Sequence, residues 1–308
     1  MSELSHNETL ANRPQLSELI DGRYFLEADI GSGSLGRVFR AVDRQKQSPV
    51  AIKFLHAGAL ADEGIQARFR REARAVGSLS HPGIVGIHYF GKDHLERPYL
   101  VMDLIEGSTM AAWRTTPPPL DVLLGTIDAV LDALAYTHAR GVIHRDLKPD
   151  NILLENTNPP QPRITDFGLA YARIRSSDIT RPDQRIGSPA YMAPEQAAGG
   201  VQGPETDIYA VGTMLFELLS GALPFDLPSP IELLVRKLNE PPPPLIPRAG
   251  YELPEGLAQI VLGALTRKPE QRYRLAADFR RALAPFLDRP PEILRLPSIM
   301  AQHMAHWP

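Results

Sequence analysis

No cysteine occurs among the 308 residues, so disulfides, thiolate zinc sites, iron–sulfur clusters and cysteine nucleophiles are excluded. A reducing compartment is compatible with that. An excess of basic charge is also missing. The 33 Lys and Arg face 36 Asp and Glu, for a formal charge of -3. Wrapping nucleic acid or coating an anionic membrane needs the opposite balance, and no nucleic-acid partner is expected. A long uncharged apolar run is absent too. The most apolar stretch, residues 208–225, contains Glu217, Gly212, Ser220, Gly221 and Pro224, whereas a spanning helix needs about 20 nearly uncharged residues. It reads as a buried core helix, and no membrane span is expected. The first 17 residues are polar and partly acidic, without a basic segment leading into an apolar one. No secretory signal is expected there, and the expected location is cytoplasmic. Internal repeats are lacking as well.

Proline, by contrast, is abundant: 30 residues, clustered at 117–119, 159–160 and 241–244. Such clusters cannot continue a helix or a central strand, so they mark loops. The expected organisation is a flexible N-terminal arm at 1–21, one domain at 22–288 and a C-terminal arm at 289–308, whose Ile293, Leu294, Leu296, Ile299, Met300 and Trp307 are apolar enough to pack on the domain or a partner. Within the domain the texture changes once. Residues 24–28, 37–42, 50–55, 84–90 and 99–102 read as short strands, with a single helical pattern at 65–79. From Leu120 onward helical patterns dominate, the first carrying Leu120, Leu123, Leu124, Ile127, Val130, Leu131 and Leu134 and closing toward Gly141. A β-rich lobe over residues 22–104 followed by a helical lobe over 107–288 gives an α+β, two-lobed architecture with a cleft between the lobes.

Several groups suggest chemistry at that cleft. Gly31-Ser32-Gly33-Ser34-Leu35-Gly36 lacks side chains where backbone amides could approach phosphate. A dinucleotide-binding turn requires a helix next, but the following Arg37-Val38-Phe39-Arg40-Ala41-Val42 reads as a strand. A Walker loop requires Lys and then Ser or Thr after Gly36, where Arg37 and Val38 stand. The residues favour a strand–turn–strand cover, with a plain hairpin as the bland alternative. In Val50-Ala51-Ile52-Lys53-Phe54-Leu55, alternation sends Val50, Ile52 and Phe54 to one face and Ala51, Lys53 and Leu55 to the other. Lys53 read alone is a lysine whose stem packs while its ammonium reaches water. However, Glu72 falls on the inward stripe of the 65–79 helix, and a buried carboxylate needs a partner such as Lys53.

His144-Arg145-Asp146-Leu147-Lys148-Pro149-Asp150-Asn151 then sets ionic and amide side chains in one short loop before a strand, and Asp166-Phe167-Gly168 follows another. With Ala193-Pro194-Glu195 further on, these motifs, in this order, resemble a protein kinase catalytic domain. The pattern around Lys148, Ser188 in Gly187-Ser188-Pro189-Ala190-Tyr191, and Met192 to Gln196 resemble serine/threonine kinases of the bacterial type, many of which carry a membrane span after a linker. The resemblance implies ATP and Mg2+ (or Mn2+) as cofactors and protein serine or threonine hydroxyls as substrates. Amides around Gly31, Ser32, Gly33, Ser34 and Gly36 would cover the phosphates, and Lys53, held by Glu72, would pair with them. Asn151 and Asp166 would hold metal; Asp146 would take the hydroxyl proton; Lys148 would offset charge on the transferred group. Ile30, Val38, Ala51 and Leu153 would sandwich adenine, with Met102 at the back and the backbone of Asp103 and Ile105 bonding the base. Asp207 would anchor the catalytic loop, and Arg272 would pair with Glu195. Arg145 and the acceptors between Arg173 and Ser188 imply autophosphorylation at Thr180, with Ser176 and Ser177 secondary, by self-association of two copies. Asp183 pairing with Arg145 is the alternative. A nucleotide-binding domain without transferase activity and a small-molecule kinase are the competing readings. Retention of Lys53, Asp146, Asn151 and Asp166 speaks against the first, and the texture of residues 169–195 against the second.

Overall fold

The computed structural model describes residues 14–33, 36–55, 75–167 and 189–287. Six strands, β1 (Leu19–Ile20), β2 (Tyr24–Gly33), β3 (Gly36–Asp43), β4 (Ser48–Leu55), β5 (Ile87–Lys92) and β6 (Pro98–Met102), form one antiparallel sheet in the order β1-β2-β3-β4-β6-β5. Alternation in β4 is as the sequence indicates. Val50, Ile52 and Phe54 join Ile20, Tyr24, Leu26, Phe39, Ala41, Tyr99 and Val101 in one apolar cluster, while Ala51 belongs to a separate cluster with Val85 and Met102. Aromatic edges knit the first cluster, with Phe39 and Phe54 centroids 5.8 Å apart at 86°.

Two boundaries differ from expectation. The sheet starts at Leu19, ahead of the expected domain start at residue 22, because Ile20 is fully buried and pairs with Tyr24, Ser17 donates to the Leu26 carbonyl, and Glu18 is ion-paired with the buried Arg97. The strand expected at 84–90 instead begins at Ile87. The backbone ahead of it is engaged by the other lobe: Val85 donates to the Ile164 carbonyl at 2.9 Å and Ile164 to the Gly83 carbonyl at 2.9 Å. Of the helix expected at 65–79, residues 75–77 are described as helical, and Val76 and Leu79 are buried against the helical lobe.

The second lobe opens with β7 (Gly107–Thr109), which pairs with β8 (Ile152–Glu155), itself paired with β9 (Pro162–Ile164). Between β7 and β8 runs α1 (Leu120–His138), whose buried face carries the predicted stripe of Leu123, Leu124, Ile127, Val130, Leu131 and Leu134. It ends three residues before Gly141, whose φ of 73° only glycine adopts cheaply. Then follow α2 (Pro194–Ala197), α3 (Pro204–Ser220), α4 (Pro230–Asn239), α5 (Leu257–Ala264) and α6 (Ala276–Leu283). Every residue of α3 from Thr206 to Leu219 is buried, so the apolar segment singled out in the sequence is the axis of this lobe. Gly212 permits its closest packing, since a Cβ there would sit 2.8 Å from the Ala264 Cβ of α5. Among the described residues no helix is long and apolar enough to cross a membrane.

Candidate functional site

Strand register builds the site from two sides. In the helical lobe, Ile152 pairs with Ile164 and Leu153 with Arg163, which brings Asn151 and Asp166 to the same end of the β8–β9 ladder. Thr165 closes that end by donating to the Asn151 carbonyl at 3.0 Å. In the sheet lobe, Lys53 pairs with Val38 on one side and Leu100 on the other, in the middle of the sheet. Its side chain is 4% exposed and its Nζ lies 2.6 Å from Asp166 Oδ1, across 113 positions of sequence. Burial alone would raise the Asp166 carboxyl, but the Lys53 ammonium, its hydrogen bond and the nearby Lys148 hold it below the usual carboxylate range.

The loop between Ile143 and Asn151 is fastened from beneath. Asp207, buried on α3, accepts the amides of His144 and Arg145 at 2.8 Å each and faces His138 Nε2 at 2.8 Å. Its carboxyl, which burial would raise, is held low by the His138 hydrogen bond and these donors. Arg145 takes a positive φ of 68° and Asp166 one of 64°, costly conformations for residues with a Cβ that the surrounding bonds impose. His144 is fully buried, with Nε2 2.9 Å from the Thr165 carbonyl and Nδ1 accepting the Asp146 amide at 3.3 Å. This fixes its tautomer: the proton sits on Nε2. Phe167 packs on the same ring at 4.6 Å. Lys148 Nζ lies 3.5 Å from Asp146 Oδ2. Asn151 donates to the Asp146 carbonyl at 2.7 Å, so its own side-chain oxygen is the atom left for a cation. Asp146, Lys148, Asn151, Lys53 and Asp166 thus converge.

A cleft of about 650 Å3 runs from these groups to the segment linking the lobes. Ile30, Gly31, Ser32, Val38, Ala51, Met102, Asp103, Ile105 and Leu153 all line it, as expected from the sequence. Ala51, Val85 and Met102, with the partly buried Val38, Leu104, Ile105 and Leu153, make its apolar walls. The linking segment is braced by Asp103. Its amide donates to the Gly86 carbonyl at 3.0 Å, and its carboxylate accepts the Gly86 amide at 2.8 Å and faces His88 Nε2 at 2.8 Å. The Asp103 carbonyl and the Ile105 amide make no backbone hydrogen bond among the described residues, which leaves an acceptor and a donor on a segment that lines the cleft. Gly36 sits against β4, where a Cβ would fall 1.9 Å from the Phe54 carbonyl oxygen, and Gly33 pairs with it.

Glu72, Ser34, Ser176, Ser177, Thr180, Asp183 and Ser188 lie outside the described residues, as does the C-terminal arm. Sequence reasoning missed Val85, Arg40, Glu106 and Asp150 as lining residues and the direct Lys53–Asp166 pair. Val85 belongs to no local pattern and reaches the cleft because the backbone ahead of β5 bonds to the other lobe at Ile164. The two polar ties read from the sequence are present. Besides Asp207, Arg272 grips Glu195 with two bonds of 2.8 Å and also donates to the carbonyls of Thr266, Arg267 and Glu205. Gln196, also missed, donates to the Arg145 carbonyl at 2.8 Å.

A family model described as the protein kinase domain matches residues 24–279. The chain belongs to the protein kinase family. Its relatives place it among the bacterial serine/threonine kinases, a class that uses ATP and a divalent metal ion. It is 40% identical over 267 residues to the serine/threonine-protein kinase Pkn1 of Myxococcus xanthus, covering 85% of this chain and 38% of that protein. It is 35% identical over 277 residues to PknA of Mycobacterium tuberculosis, covering 88% of this chain and 63% of that protein. The chain therefore spans less than two thirds of these relatives. Among solved structures it is similar to the PknI kinase domain of M. tuberculosis, with a TM-score of 0.67 at 25% identity over 89% of this chain and 98% of that one.

Proposed function

We propose that this kinase domain transfers the γ-phosphoryl group of ATP to serine or threonine hydroxyls of proteins. One observation carries the reading: Lys53, Asp166, Asn151, Asp146 and Lys148 meet at the end of an apolar slot whose linking segment offers one acceptor and one donor. Adenine fits between Ile30, Val38, Ala51 and Leu153 with its edge on Asp103 and Ile105, and the glycine-rich turn at residues 31–36 covers the phosphates. Lys53 binds phosphate oxygens, released from part of its pairing with Asp166, and Glu72 steadies it.

The acceptor hydroxyl oxygen bonds to the γ-phosphorus while the bond from that phosphorus to the β–γ bridging oxygen breaks, and ADP departs with that electron pair. Asp146 orients the hydroxyl and receives its proton; Lys148 offsets charge on the moving group. Asp166 and Asn151 present a carboxylate and an amide oxygen, hard donors suited to Mg2+ (or Mn2+). When bound, such an ion draws negative charge from the phosphate oxygens. The reading extends to a cytoplasmic location and to activation by autophosphorylation between two copies at Thr180, with Ser176 and Ser177 secondary.

Purified protein with ATP, Mg2+ and protein or peptide acceptors tests it. Transfer that vanishes with Asp146→Asn, together with metal-dependent nucleotide binding weakened more by Asp166→Asn than by Asp146→Asn, supports the reading. Nucleotide binding with no transfer to itself or to any serine- or threonine-containing acceptor overturns it.

A further inference from the structure

The inner face of α4 carries two buried side chains one turn apart, Leu233 and Lys237. Lys237 is 1% exposed. An amine so enclosed normally has a carboxylate beside it, yet among the described residues none lies within ion-pairing distance of Lys237. Instead its Nζ donates to the backbone carbonyls of Pro189 at 2.8 Å, Ala190 at 2.5 Å and Met192 at 3.0 Å. An ammonium has three N–H groups, and all three are used on four consecutive residues. The face of the Tyr209 ring, 5.5 Å away, completes the surroundings. Burial pushes the amine down to about 7, and the three carbonyl dipoles favour its charged form.

The fold does not need a cation at this position, because Leu or Met would fill it without desolvating a charge. What the lysine supplies is direction. Three carbonyls drawn to one point fix residues 189–192 as a ledge on which Pro189, Ala190 and Met192 stay partly exposed while Tyr191 is buried. That ledge adjoins the catalytic loop. Tyr191 donates its hydroxyl to Glu217 at 2.5 Å and accepts from Arg114 at 2.7 Å, and Arg114 also reaches Asp150, four residues after Asp146. Just beyond the ledge, Gln196 holds the Arg145 carbonyl, next to Asp146.

The geometry points to Lys237 as a positioning residue that sets the 189–192 ledge as the seat of the acceptor polypeptide, so that α4 governs acceptor binding without touching ATP. This rests on the protein-kinase reading above and adds to it the residue that controls the acceptor side. Steady-state kinetics with one serine-containing peptide separate the effects. Lys237→Met is expected to raise the peptide KM about tenfold or more, while kcat and the KM for ATP stay within about twofold. Lys237→Gln, which keeps two donors, gives an intermediate peptide KM, and Lys237→Arg restores most of the affinity. Hydrogen exchange at the amides of residues 190–193 speeds up in the Met variant. A folded Met or Gln variant with unchanged peptide KM overturns the inference. So does a loss in which peptide KM, ATP KM and kcat all follow the folded fraction. Should the Met variant fail to fold, the Gln variant decides. If the wild type transfers no phosphate, the functional reading fails, whereas unaltered exchange at 190–193 in a variant is a failure of the Lys237 tie itself.

Discussion

In the sheet lobe, Lys53 owes its position to strand register: β4 lies between β3 and β6, and the lysine's charged end meets Asp166 across the cleft. In the helical lobe, Asp146 owes its position to polar groups that hold the loop backbone leading to it. Asp207 holds the two preceding amides, His144 holds its own amide, and Gln196 holds the carbonyl of Arg145. A backbone ladder fixes where a residue sits along a strand but allows the sheet to shift as a body. A buried carboxylate with several donors allows no alternative partner, because each broken bond leaves a desolvated polar group. The helical lobe is thus the fixed half of the site and the sheet lobe the adjustable half.

The sharpest way to probe the fixed half is to alter the group it presents. Asp146→Asn keeps the hydrogen bonds of the loop and removes the proton acceptor, so kcat should fall about a thousandfold while thermal stability and the Kd for ATP hold. Steady-state transfer assays and a melting curve measure both.

Breaking the anchor should blur the contrast between the halves. Asp207→Ala leaves the amides of His144 and Arg145 and the Nε2 of His138 without their acceptor, which should cost roughly 3 kcal/mol. Denaturant unfolding reads the cost, and turnover should fall with little change in ATP affinity.

The adjustable half is tested at Gly36. An Ala side chain collides with the Phe54 carbonyl, so β2 and β3 must move away from β4. Overpacking of this kind costs about 1–3 kcal/mol. It should appear mainly as a weaker Kd for ATP, about tenfold by calorimetry, with kcat at saturating ATP less affected.

The smallest effect concerns pH. Asp43, paired through two bonds with Arg23 at 2.9 and 2.6 Å, has its carboxyl lowered from 3.8 to about 2, chiefly by that hydrogen-bonded pair. A depressed carboxyl contributes stability above the unfolded value, and that contribution is lost as pH falls from about 4 through 2. Asp43→Asn should therefore flatten the acid side of the stability curve of the sheet lobe. A curve that keeps its acid slope in the variant would assign the slope to other carboxylates, such as Asp207 in the fixed half.

Much of this was legible in the chain. The period-two pattern of residues 50–55 and the helical stripe of α1 follow from local spacing, since burial on one face imposes that spacing on the sequence, and α3 was legible as the most apolar stretch of the chain. The motifs around Lys53, Asp146 and Asp166 were legible for a related reason: each is a short segment whose residue types and spacing are complete within a few residues. The start of the sheet was not, because Leu19 and Ile20 make only a two-residue strand whose anchor, Arg97, lies far along the chain.

By itself the sequence determined the order of the elements, the two textures and the residue types available for phosphoryl transfer, because propensity, periodicity and motif spacing are local. Only the tertiary structure decided which charges meet: Lys53 with Asp166, Asp207 with the loop amides, and Lys237 with three carbonyls. The partners of a buried ion are chosen by what desolvation forces together in space, and in these three cases they lie 45 to 113 positions apart.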